Sequence, residues 1–136
     1  MYLLDTNVIS ELRKAARADC RVAAWAAQAD MQAMHISVVS ILEIRLGILS
    51  IQRRDTAQAD ILADWLFRQV IPAFAGRIVP IDIDVALRCA ELHVPDPRSD
   101  RDALIAATAL VHGLTVVTRD TRDFQPTGVK TLNPWL

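Results

Sequence analysis

Four carboxylates stand where they can act together: Asp5, Glu43, Asp102 and Asp120, with Asp123 three residues beyond the last. Asp5 ends the short apolar run Tyr2-Leu3-Leu4, where a helical pattern begins with Val8, Ile9 and Leu12. Asp120 follows the most strand-like run of the chain, Leu114 to Thr118. Asp102 falls in the first turn of a very apolar helix, and Glu43 lies one turn into another. Strand C-terminal ends and helix N-terminal turns face the same rim of a parallel α/β layer, and ligands bind at that rim. The spacing therefore predicts that these acids converge.

Converging carboxylates repel. In a partly buried site their pKa values rise and the fold loses stability. A divalent cation removes that conflict. Oxygen ligands without Cys or His select a hard ion, Mg²⁺ or Mn²⁺. Such an ion keeps several waters and is completed by a phosphate oxygen, so the chemistry expected is phosphodiester hydrolysis by metal-activated water. Each acid also has a plain structural reading. Asp5 can be an N-cap, and Glu43 can close a capping box with Ser40. Asp102 suits a helix N-terminus on charge alone, and Asp120 or Asp123 can cap a turn. His35, His93 and His112 share no ligand spacing, and no Ser, Cys or His arrangement supports a covalent nucleophile.

The elements that must position these residues alternate. Strands are expected at 2–4, 34–36, 78–81, 114–118 and 129–132, and helices at 7–14, 19–30, 38–53, 55–70, 83–93 and 101–112. Arg119 to Phe124 reads as a turn or a single helical turn. Ser37 is a cap candidate, Ile71-Pro72 is expected to end the fourth helix, and Gly113 fits a C′ position. Val38, Ile41, Leu42, Leu46 and Leu49 mark the third helix as amphipathic. Ile61, Leu62, Trp65 and Leu66 share one face of the fourth. This alternation predicts a single α/β domain over residues 1–136, a parallel sheet covered by helices on both faces.

Composition bounds the function. Hydrophobic residues make up 52% of the chain, enough for a substantial core, and the net charge is −1. No global positive charge advertises a nucleic-acid partner, so any such binding falls to a local patch. Thirteen of the fifteen basic residues are Arg, which suits bidentate phosphate contacts. Arg45, Arg98, Arg101 and Arg119 lie near an acid or the rim and are candidates for holding phosphates. Cys20 and Cys89 read as small core hydrophobes in a reducing, cytoplasmic setting. No signal peptide is apparent, and no apolar run approaches the roughly 20 residues of a membrane span. Trp25, Trp65 and Trp135 read as core or interface packing. The apolar run from Ala59 to Phe74 reads first as core packing, with a surplus apolar face as the alternative that could receive a partner.

Four stretches also resemble the motifs of the PIN-domain ribonucleases. Leu3-Leu4-Asp5-Thr6-Asn7-Val8-Ile9-Ser10 is similar to their opening signature, and Ser37 to Gly47, around Glu43, to the second motif. Asp102-Ala-Leu-Ile-Ala-Ala-Thr108-Ala resembles the third, and Val117-Thr118-Arg119-Asp120-Thr-Arg-Asp123-Phe124 the fourth. The closing Asn133-Pro134-Trp135 resembles the FitB-like branch of the VapC toxins. The resemblance implies a three-layer α/β/α fold with a mostly parallel sheet of four to five strands. It implies Asp5, Glu43, Asp102 and Asp120 as an acidic quartet, Asp5 and Asp102 being the most direct metal ligands. Thr6 or Thr118 would assist by hydrogen bonding. Many relatives carry Asn at the position of Asp120 and an acid just before Phe. Here Asp120 and Asp123 are both acidic, and the FitB-like pattern favours Asp120.

The implied activity is that of a Mg²⁺-dependent endoribonuclease, the toxin of a type II toxin–antitoxin pair, cutting tRNA or another structured RNA. Arg45, Arg101 and Arg119 would hold RNA phosphates. The implied partners are a second copy of the chain and a small VapB/FitA-like antitoxin, through which alone the complex meets operator DNA. Two readings compete. One is a phosphoacceptor signalling module, which needs a Lys where this chain has Thr118-Arg119. The other is a degenerate PIN domain that binds RNA without cutting it.

Overall fold

A computed structural model describes all residues, Met1–Leu136. Strand β1 (Tyr2–Leu4) leads into helix α1 (Thr6–Arg13), followed by α2 (Cys20–Gln28), β2 (Met34–Ser37), α3 (Val38–Gln52) and α4 (Thr56–Trp65). A wide π turn over Leu66–Val70 joins α4 to the short α5 (Ile71–Ala73). Then come β3 (Ile78–Val79), α6 (Ile83–Leu92), α7 (Asp100–His112), β4 (Thr115–Val117), α8 (Thr121–Phe124) and β5 (Thr131–Leu132). The five strands pair in parallel in the order β3-β2-β1-β4-β5. The first strand of the chain is thus central, and β1 and β4 lie side by side.

The strands are short and apolar because both sheet faces are covered. Successive side chains alternate between faces. Leu3 joins Val79, Ile105, Val116 and Phe124 in one core. Leu4 joins Val8, Ile36, Ile44, Val117 and Trp135 in the other. Register sets Leu3 opposite Val116 and Leu4 opposite Val117, so the two cores are built row by row. Short polar side chains start the helices as N-caps: Asp5, Asp19, Ser37, Asp55 and Asp82 each accept a backbone N–H. Gly113 stops α7 in the left-handed region at φ 68°, which a residue with a Cβ adopts at a cost.

Several expectations change. The third helix is apolar on every side, so its periodicity does not reveal its inner face. Val39, Ser40, Ile44 and Ile48 turn inward, while Leu42, Leu46 and Leu49 are exposed at 51, 44 and 42%. In the fourth helix Leu62 and Leu66 are buried but Ile61 is exposed, because Ala59, Leu62 and Leu66 form the inward stripe. Pro72 does not end the helical rod. It enters at the start of a new turn after the π widening, where a missing N–H is tolerated. Cys20, at the first position of α2, is exposed, and Cys89 is only half-buried. The third strand ends at Val79, and the last is confined to Thr131–Leu132. No helix is long and apolar enough to cross a membrane.

Candidate active site

The C-terminal ends of β1 and β4 meet at one rim. Asp5 N–H donates to the Val117 carbonyl at 2.9 Å, extending the β1–β4 ladder by one residue. That bond sets Asp5 beside Thr118, the residue after β4. The Thr118 hydroxyl, fully buried, donates to Asp5 Oδ2 at 2.8 Å. Thr6 N–H donates to Asp5 Oδ1 at 2.8 Å, so Asp5 both caps α1 and faces the rim. Each Asp5 oxygen therefore meets one strong donor and keeps lone-pair capacity for a ligand.

Glu43 arrives from α3. Thr6 Oγ1 lies 3.1 Å from Glu43 Oε1 and 3.0 Å from Ser40 Oγ, which is fully buried. The capping-box reading of Ser40 and Glu43 does not hold. Ser37 caps α3 by accepting Val39 N–H at 3.0 Å, and Ser40 lies inside the helix, facing Thr6. Asp120 arrives from the turn after β4. Its N–H donates to Thr118 Oγ1 at 3.0 Å, and its Oδ2 accepts Asn7 Nδ2 at 3.1 Å. Asp102 stands in the first turn of α7.

The electrostatics tie these acids together. Asp5 is 7% exposed, and burial pushes its carboxyl above the ordinary value. The Thr118 and Thr6 hydrogen bonds oppose that rise, and the charges of Glu43 and Asp120 add to it. Asp102 is raised as well, first by burial, then by the charges of Asp5, Asp123 and Asp120. Asp5 thus lies in the fields of Glu43 and Asp120, and Asp102 in those of Asp5, Asp120 and Asp123. Asp120 is built into the Asp5–Thr118 network by hydrogen bonds, whereas Asp123, in α8, acts on Asp102 through its charge.

No three Asp, Glu, His or Cys side chains are arranged to grip an ion unaided. The residues nevertheless fit a hard cation of one kind. Mg²⁺ takes only one or two carboxylates and fills its shell with water and substrate phosphate. The donors at the rim are oxygens only, and the raised carboxyl groups are the conflict that a cation relieves. Asp5 and Asp102 would hold such an ion most directly.

Of the arginines, Arg101 reaches the acids, its Nη1 lying 3.9 Å from Glu43 Oε2. Arg119 sits beside Asp120, its guanidinium 5.3 Å above the Trp135 ring. The Arg45 guanidinium lies over Phe67, 5.3 Å from the ring centroid. Arg98 is bound to the Leu92 carbonyl at 2.7 Å, fastening the α6–α7 connection. Neither of these two pairs with an acid. Lys14 pairs with Glu11 at 3.0 Å, and the place after β4 where a phosphoacceptor pocket requires a lysine is held by Thr118-Arg119. The sequence reading missed two residues, Asn7 and Ser40. Asn7 Nδ2 lies within 3.4 Å of Asp5 Oδ2 and Thr118 Oγ1 as well as on Asp120. Its place two residues after Asp5, in the first turn of α1, was the available signal.

A doubly covered parallel sheet with acids at the β1/β4 rim defines the class, and the PIN domain family profile matches residues 2–129. The chain belongs to the PIN-domain family. It is 38% identical to VapC ribonuclease Y4jK of Sinorhizobium fredii, covering 99% of this chain and 98% of that protein. It is 36% identical to Toxin FitB of Neisseria gonorrhoeae, covering 99% of each. The crystal structure of FitAcB from Neisseria gonorrhoeae superposes with a TM-score of 0.90 at 36% identity, over 99% of each chain.

Proposed function

We propose that this chain is a Mg²⁺- or Mn²⁺-dependent endoribonuclease and the toxin of a type II toxin–antitoxin pair. One observation carries the proposal. Asp5, a buried carboxylate, is held by Thr118 and Thr6 inside the field of Glu43, Asp120 and Asp102. A rim of crowded, oxygen-only donors is costly to a fold unless a cation joins it. Its similarity to a VapC ribonuclease and to Toxin FitB, over nearly its full length, supports the same reading.

When bound, the ion lowers the pKa of a water and offsets charge on the phosphodiester. The chain supplies the rest. Asp5 and Asp102 hold the ion, with Glu43 and Asp120 completing the acidic rim. Thr118 fixes the Asp5 carboxylate, and Thr6 spans Asp5 and Glu43, so the acids keep their geometry as charge shifts. Arg101 and Arg119 face the phosphates on either side. The substrate is RNA in the cytoplasm, tRNA or another structured RNA.

The proposal includes a homodimer and a small antitoxin of the VapB/FitA kind, whose tail enters the groove at the acids and whose other part meets operator DNA. Two exposed apolar rows, Leu42, Leu46 and Leu49 on α3 and Ile83 and Leu87 on α6, are available to such partners. The test is RNA cleavage by purified protein with Mg²⁺ and with EDTA, beside Asp5→Asn and Asp102→Asn. Cleavage by wild type alone, and only with the ion, is expected. Equal cleavage by wild type and both variants would remove the nuclease proposal.

A further inference from the structure

An open polar cleft of about 600 Å³ runs from α1 past the N-terminus of α2 to the C-terminal segment. Three guanidinium groups line it, those of Arg17, Arg21 and Arg119. Two acidic side chains line it too, but both are engaged. Glu11 accepts Asp19 N–H and Lys14 Nζ, each at 3.0 Å. Asp19 caps α2 through Arg21 N–H at 2.8 Å and pairs with the Arg21 guanidinium at 3.3 Å. Arg17 and Arg119 have no carboxylate within ion-pair distance. The cleft therefore holds two arginines without an ion-pair partner, in a chain whose net charge is −1.

Arg119 is also ordered in advance. Its N–H donates to Asn7 Oδ1 at 3.4 Å, and its carbonyl accepts Asn133 Nδ2 at 3.5 Å. Its guanidinium lies 5.3 Å from the centroid of Trp135, itself only 7% exposed, whose backbone N–H donates to Asn133 Oδ1 at 2.9 Å. A guanidinium held over a fixed ring is ordered in part before a ligand arrives, and its N–H edge has no carboxylate partner. That edge suits bidentate contact with a phosphate. Asn7 binds both the Arg119 N–H and the Asp120 carboxylate, so Arg119, which lines the cleft, is tied through Asn7 to the acidic rim.

We propose that this cleft is a second subsite, in which Arg119 and then Arg17 seat the phosphates of the nucleotides adjoining the one cut at the acids. The inference rests on the nuclease reading above and adds the path of the strand. The rim repels a polyanion, and the cleft supplies the local attraction that the chain as a whole lacks. An acidic peptide on the same path would add carboxylates to a rim that already repels its own.

The test measures binding of a labelled single-stranded RNA by anisotropy across a salt series, with Ca²⁺ replacing Mg²⁺ to prevent cutting. Arg17→Gln and Arg119→Gln should each weaken binding about fivefold and flatten the log–log salt slope by ~0.7, the value for one lost phosphate contact on a single strand. Arg119→Lys should keep the slope but recover only part of the affinity, because it lacks the planar fork. Arg53→Gln, exposed at the end of α3, should match wild type. Mg²⁺ affinity by titration calorimetry should be the same in all. Wild-type affinity and slope in both Gln variants, with wild-type protein still cutting RNA, would overturn the subsite alone. Displacement of the RNA by an equal concentration of oligoglutamate would overturn it as well. If wild type neither binds nor cuts RNA, the nuclease reading falls and takes the subsite with it.

Discussion

Thr118→Val tests the network around Asp5 without changing the volume of the core. Thr118 is fully buried, donates to Asp5 Oδ2 at 2.8 Å and accepts Asp120 N–H at 3.0 Å. Valine fills the same space and removes both bonds. A hydrogen bond to a charged group contributes about 1.5–3 kcal/mol, and an orphaned N–H costs about 1 kcal/mol more. The expected loss is therefore about 3 kcal/mol, and at about 3 °C per kcal/mol for a chain of this size the melting temperature falls by about 10 °C. The loss depends on pH, and its sign follows from Asp5. Burial already holds this carboxyl above its ordinary value of 3.8, with Thr118 opposing the rise. The folded state thus binds the proton more tightly than the unfolded one. Stability from this group is highest below 3.8 and falls as pH rises through the raised folded value. Removing Thr118 raises that value further, so the defect is largest at neutral pH and shrinks on acidification. Thermal unfolding followed by circular dichroism in EDTA, at ~pH 7.5 and ~pH 4.5, measures both effects. Thr118→Ser keeps the hydroxyl and should lose only about 1 kcal/mol for its missing methyl. A Val variant melting with wild type at neutral pH, or a Ser variant falling as far as Val, would refute the reasoning.

Asp102→Asn should melt no lower than wild type at neutral pH in EDTA. Burial and the charges of Asp5, Asp123 and Asp120 disfavour its ionised form, although α7 gives up a helix-end charge worth ~0.3–1 kcal/mol. A fall of more than about 3 °C would count against the repulsion. Mg²⁺ should raise the melting temperature of wild type and not of this variant, as mass action requires of an ion bound to the folded state only. Phe124→Ala opens the core on the α7 side, where Phe124 is fully buried, and should cost about 3–5 kcal/mol in chemical denaturation. Gly113→Ala should cost about 1 kcal/mol, because φ is 68° and nothing lies within 4 Å of the added Cβ. A neutral result in the same assay would show that the α7 terminus relaxes out of the left-handed region.

Much of the architecture was legible in the amino-acid order because it rests on local rules. The abrupt change from Leu3-Leu4 to Asp5-Thr6 marks a buried strand ending in a cap, and β1 and α1 meet there. Gly113 after an Ala-rich helix marks the end of α7, and the alternation of strands and helices led to the parallel sheet. The placement of Asp5, Glu43, Asp102 and Asp120 near one rim follows from the same topology, since parallel strands end on one side.

Facing and contact were decided only in three dimensions. A helix apolar on all sides, such as α3, carries no phase in its sequence, and it is packing against the sheet that turns Ile44 and Ile48 inward and leaves Leu42 and Leu46 outside. The π turn shifts the register by a fraction of a turn, which carries the rod through Pro72. Ser40 and Asn7 become partners of Thr6 and Asp120 across 34 and 113 residues, and no local pattern encodes such pairs. Sequence alone determined which groups could carry charge chemistry and where the strands stop. Tertiary packing decided which of them share a hydrogen bond, because that depends on ångström-scale distances between elements that local preference does not specify.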